Sequence, residues 1–149
     1  MSRPTVRRLT IAGEPVGKAR PRVTRHGTYT PAATRKAEAG VALAWTEAHA
    51  DYLPTPGARH GLAVTFYRNH RYQRDLDNLV KLLMDALNGH AWEDDHQVEH
   101  IRADVRWVAK GEARTELAVW ELGAIPALLQ APRPPAWEMD GEPCPCCGA

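Results

Sequence analysis

Between Leu62 and Leu87 the spacing of apolar residues switches from two to nearly four, and the switch falls on a dense run of charge. Leu62, Val64 and Phe66 alternate with Ala63, Thr65 and Tyr67, the pattern of a strand with one buried face. Leu79, Val80, Leu83 and Leu87 then mark one face of a helix, which Asn88-Gly89 stops. Between the two patterns stands Arg74-Asp75-Leu76-Asp77-Asn78-Leu79-Val80-Lys81, and a short loop beyond the helix carries Trp92-Glu93-Asp94-Asp95. The chain must therefore turn from strand to helix where carboxylates crowd together. Like charges that share a site repel, and a cation among them removes that cost.

The remaining segments predict the rest of the domain. Thr5 to Ala12 alternates as an N-terminal strand, and Gly13 to Arg22 is irregular. Val23 to Thr30 reads as two short β-prone pieces around a His26-Gly27 turn, with Gly27 supplying a positive φ. Thr30-Pro31 is a helix start, a hydroxyl cap with proline at the first helical position, and Ala37, Val41, Ala44, Trp45 and Ala48 carry that helix to about His49. Pro54, Pro56 and Gly57 mark a loop. Val98 to Val108 alternates again, Lys110-Gly111-Glu112 turns, and Leu117 to Leu122 forms a last strand, predicted to lie antiparallel beside its predecessor. Strand, hairpin, helix, strand, helix, strand, strand implies an α/β (α+β) domain, a small mixed sheet with two main helices on it. The chain's 149 residues suit one such domain. We place it at residues 1–123, with 124–149 as a proline-rich tail holding at most a brief helix around Ala127 to Gln130. No apolar run approaches the roughly 20 residues that span a bilayer, and no h-region opens the chain, so a cytoplasmic protein is expected.

Net charge is +1, but its distribution is uneven. Residues 1–36 carry nine Lys or Arg, among them Lys18, Arg20, Arg22 and Arg25, against the single acid Glu14. A basic segment ahead of an acidic cluster suits a protein that grips phosphates with one part and a metal with the other, although a solvated basic edge has the same composition. If the chain stays extended to Asp77, the Asp75 and Asp77 carboxylates share one side roughly 7 Å apart. Lys81 then stands one helical turn above Asp77. Carboxylates without histidine or thiolate at matched spacing favour a hard cation, Mg²⁺ with Mn²⁺ as a substitute, over zinc. The plain alternatives are Asp77 as a helix cap and surface pairs from Lys81 to Asp77 and Asp85, and for Asp85 the surface pair is preferred. His96 and His100 read as surface residues. Cys144-Pro145-Cys146-Cys147-Gly148 is half of a zinc knuckle, read as reduced thiols in the tail.

R-D-L-D-N-L-x-K at 74–81, D-A-L at 85–87, W-x-D-D-x-Q-V at 92–98 and G-x-P-x-x-K-x-R-P-R at 13–22 together resemble the RusA-type Holliday junction resolvases. The resemblance spans roughly Leu9 to Leu122. It implies a Mg²⁺-dependent endonuclease in which Asp75, Asp77 and Asp95 bind metal and Lys81 is the catalytic lysine. It assigns DNA contact to Arg74 and favours the same for Lys18, Arg20 and Arg22. The family acts as homodimers that nick two symmetry-related strands of a four-way junction, so a homodimer on junction or other branched DNA is expected. The contrasting class is a DNA-binding or adaptor module in which the acids only cap a helix.

Overall fold

A computed structural model of the chain describes residues 5–20, 22–70 and 75–122, with Arg22 described by its backbone alone. Among these residues the elements are β1 (Arg7–Ala12), β2 (Arg22–Thr24), β3 (Gly27–Tyr29), α1 (Ala32–Ala48), β4 (His60–Arg68), α2 (Leu76–Leu87), the 3₁₀ turn Asp95–Gln97, β5 (Val98–Trp107) and β6 (Arg114–Glu121). β2 and β3 form a separate ribbon, Arg22 opposite Tyr29, and Gly27 at φ 122° makes its turn. The other four strands form one mixed sheet in the order β1-β6-β4-β5, with β4 and β5 parallel and the remaining pairs antiparallel. The α+β expectation therefore holds. No helix among the described residues is long and apolar enough to cross a membrane.

Three expectations are corrected. β5 and β6 are not neighbours: β6 lies between β1 and β4, and β5 is the sheet edge. Burial explains the choice. Leu117, Ala118, Val119 and Trp120 are all buried, so β6 is apolar on both faces and needs the interior of the sheet, whereas β5 alternates with Arg102, Asp104 and Arg106 and tolerates the edge. The crossover through α2 requires β5 to run parallel to β4. The strand β4 ends at Arg68, so Asp75 and Asp77 do not share one extended face. Finally, α1 begins one residue later than the cap pattern predicts, because the Pro31 carbonyl accepts from the Thr34 and Arg35 N–H groups and so makes Pro31 the flanking residue.

Both helices cover one face of the sheet. Leu62, Val64 and Phe66 of β4 and Leu117 and Val119 of β6 meet Val41 and Trp45 of α1 and Leu79, Leu83 and Leu87 of α2. Each fully buried large side chain removes about 1.5–3 kcal/mol of apolar exposure, so this cluster is what fixes α2 on the sheet. On the helix-free face Trp120 lies so close to β4 that a Cβ at Gly61 would overlap its ring. Glycine is the residue that this stacking permits.

Candidate active site

Asp75 is the N-cap of α2, with extended backbone at φ −62° and ψ 139°, yet its side chain caps nothing. Its Oδ2 lies 3.5 Å from the Asn78 side-chain amide, and Asp77 Oδ1 accepts the Asn78 N–H at 2.9 Å. Both carboxylates are exposed at the positive end of the helix dipole, where negative charge is stabilised. One turn on, Lys81 is exposed and makes no ion pair with any described residue. Leu79, between them in sequence, is fully buried and anchors this turn to the core.

The second acidic segment is built residue by residue. Trp92 is fully buried, and its indole N–H donates to Asn88 Oδ1 at 2.9 Å. Asp94 caps the 3₁₀ turn by accepting the His96 N–H, while Gln97 Oε1 accepts the backbone N–H groups of Glu93 and Asp94 at 2.9 and 3.0 Å. That is a capping box, and the D-x-x-Q spacing at 94–97 signals it in the sequence. The His96 N–H, with a side-chain hydrogen bond to Asp95, holds the Asp94 carboxyl below its ordinary range. Asp94 is thus committed to structure, and Asp95, half-buried, is the carboxylate left over.

An open cleft of about 510 Å³ runs between α2 and β5, and Asp77, Lys81, Asp85 and Asp95 line it over Val80 and Ala103. Asp75 is not on its wall. Among the described residues no three carboxylate, imidazole or thiolate groups converge as a metal site. The donor chemistry nonetheless fits a hard cation that keeps several waters and takes one or two protein carboxylates with substrate oxygens. Asp75, Asp77 and Asp95 make no ion pair with any described residue, so their charge is available.

The N-terminal basic segment straps the same helix. Gly13 N–H donates to the Ala113 carbonyl, and Glu14 accepts from the Asn69 N–H at 3.2 Å and pairs with buried Arg68 at 3.5 Å. Lys18 donates its backbone N–H to the Asn78 carbonyl at 2.9 Å, and its ammonium pairs with Asp85 and, at 3.5 Å, with Glu38. Burial lowers the Lys18 pKa, but the hydrogen bond and charge of Asp85, with Glu38, outweigh it and leave the pKa raised. Arg20 is exposed just beyond, and Arg22 opens the ribbon at β2. Arg74 and Cys144 to Cys147 lie outside the described residues. Glu14, Arg68 and the Lys18–Asp85 pair were not foreseen, since partners so far apart in sequence leave no local signal.

The family model described as endodeoxyribonuclease RusA matches residues 12–119, which takes in the strap, both helices, the cleft and the second acidic segment. Comparison with curated proteins gives no match.

Proposed function

The chain belongs to the RusA endodeoxyribonuclease family, and from that premise we propose that it is a divalent-cation-dependent resolvase that opens four-way DNA junctions by paired symmetrical nicks. The observation that supports this reading most directly is the exposed Lys81, without an ion pair among the described residues, one turn above Asp77 on a cleft that Asp95 also lines. A structural lysine at that position would be paired along the helix with Asp77 or Asp85. Here Asp85 is taken by Lys18, and Lys81 is left facing the cleft among the described residues.

Asp75, Asp77 and Asp95 would hold Mg²⁺, with Mn²⁺ as a substitute. When bound, the cation lowers the pKa of a water and steadies charge on phosphorus. Lys81 places a positive charge where the phosphodiester becomes more negative in the transition state. The amino end of α2 adds its dipole to the same point. Arg20, Arg22 and Arg74 contact phosphates and set the register of the duplex arms. Lys18, already compensated by Asp85 and Glu38, contributes by holding the loop that presents Arg20 and Arg22. Two copies related by a two-fold axis match the two equivalent backbones of a junction.

Incubation with a synthetic mobile four-way junction, with and without Mg²⁺, tests the reading. Paired nicks that need the cation and disappear in Asp77→Asn are expected. Binding without any cutting would instead mark a DNA-binding or adaptor module, and preferential cutting of flaps or forks would move the substrate to other branched DNA.

A further inference from the structure

Four tryptophans lie among the described residues, and the fold does not treat them alike. Trp45, Trp92 and Trp120 are at most 1% exposed, whereas Trp107, the last residue of β5, is 61% exposed. The core makes no use of this ring, and a large flat apolar surface is left facing solvent.

Register and alternation place it. Trp107 stands opposite Arg68 in the parallel β4–β5 pair, and Arg68 follows Leu62, Val64 and Phe66 on the side of the sheet that the helices cover. Ala103 and Val105 precede Trp107 on that same side, and Ala103 lines the cleft. From Ala103 to Trp107 is about 13 Å along the strand. β4 and β5 end together here, and the chain leaving β4 goes on to begin α2 at Leu76. Trp107 therefore lies toward the end of the cleft that carries Asp77, away from Asp95, which precedes β5.

The ring has a fixed support. The Arg68 guanidinium lies 5.6 Å from its centroid, within the range of cation–π attraction, and Arg68 is itself buried. Glu14 of the strap pairs with Arg68 at 3.5 Å, and the Arg68 carbonyl accepts the Val108 N–H at 2.9 Å. The indole is thus braced from the Arg68 side while most of its surface stays open. Arg106 and Lys110 flank it in sequence, both exposed and without an ion pair among the described residues. An aromatic platform among uncompensated cations holds a nucleic-acid strand by stacking on a base while the cations meet its phosphates. Continuous duplex buries its base faces in the stack. A strand that leaves the stack offers one.

Resting on the nuclease reading, we propose that Trp107 stacks on an unstacked base of the DNA strand that enters the cleft, and that this contact favours DNA whose strands part over continuous duplex. Binding measured without divalent cation tests it, so that no cutting intervenes. Three DNAs are compared: a duplex with a thymine bulge, the same duplex with the bulge built of abasic units, and continuous duplex. Wild type should prefer the thymine bulge to the abasic one. Trp107→Ala should lose about 5- to 150-fold in affinity for the thymine bulge alone, and Trp107→Phe should keep most of that affinity. Unchanged binding of the other two DNAs by both variants separates loss of stacking from loss of fold.

A wild type indifferent to the bases of the bulge, or a Trp107→Ala loss equal on all three DNAs, would overturn the proposal. So would a Trp107→Ala protein whose sedimentation changes while its base preference does not, since the ring would then serve contact between copies. Junction cleavage with Mg²⁺ is scored separately. Wild type that shows the base preference and cuts no junction would overturn the nuclease reading and leave the stacking contact standing.

Discussion

The motif residues divide into those that build the site and those left to act in it. Leu79 and Trp92 are fully buried, Asn78 braces Asp75 and Asp77, and Asp94 with Gln97 closes the capping box. After these commitments Asp75, Asp77, Lys81 and Asp95 make no ion pair with any described residue, and they are the four that the proposed reaction would use. Lys81→Ala should bind a junction with unchanged affinity and cut it about 10²–10³-fold more slowly, because its charge matters where charge develops. Gel-shift titration beside single-turnover cleavage separates the two effects, and a loss confined to affinity would reassign Lys81 to docking. The Asp77–Lys81 spacing was legible because spacing along a helix is local information, whereas Asp95 entered through the family resemblance. Gln97 was legible too, through the spacing from Asp94 that makes a capping box.

At the scale of elements, alternation and helical spacing located the strands of the sheet and both α-helices among the described residues to within a few positions, and the His26-Gly27 turn located the exposed ribbon of β2 and β3. Pairing was less accessible. The doubly apolar run Leu117 to Trp120 held the clue that β6 is interior, but alternation through Leu117 and Val119 reads equally as a half-buried strand. The strap from Gly13 to Arg20 shows the deeper limit. Its Lys18–Asp85 bond joins residues 67 apart, and no pattern in either segment announces the other. Lys18→Met leaves Asp85 and Glu38 as close acids without their cation and should cost about 1.5–3 kcal/mol in urea unfolding. Arg20→Ala, an exposed neighbour on the same strap, should stay within about 0.5 kcal/mol. Because the Lys18 pKa is raised, its contribution is complete at neutral pH and declines only when the solution becomes alkaline enough to remove the proton. Equal stability of the two variants would show that the strap does not hold α2.

For the molecule as a whole, part of the acid-side decline of stability should trace to a buried group that does not line the cleft. His60 begins β4, the strand to which β5 and β6 both bond, and its ring is fully buried beside Trp92 at 6.2 Å. Burial lowers its pKa from the ordinary 6.5, and Glu121 and the Ala58 backbone pull the other way without cancelling the effect. Below pH 6.5 the unfolded chain therefore takes up a proton at this residue that the folded chain refuses. The unfolded state binds more protons, so stability falls as pH falls from about 6.5 toward the lowered native pKa and is unaffected by His60 above that window. The slope from this one group is at most about 1.4 kcal/mol per pH unit. Replacing His60 with Gln removes the proton-binding ring, so urea unfolding between pH 5 and 7.5 should show a shallower acid decline than wild type, whatever the replacement costs at neutral pH. An unchanged slope would mean that the buried imidazole accepts its proton without unfolding, and that the packing around Trp92 yields to charge more readily than its complete burial implies.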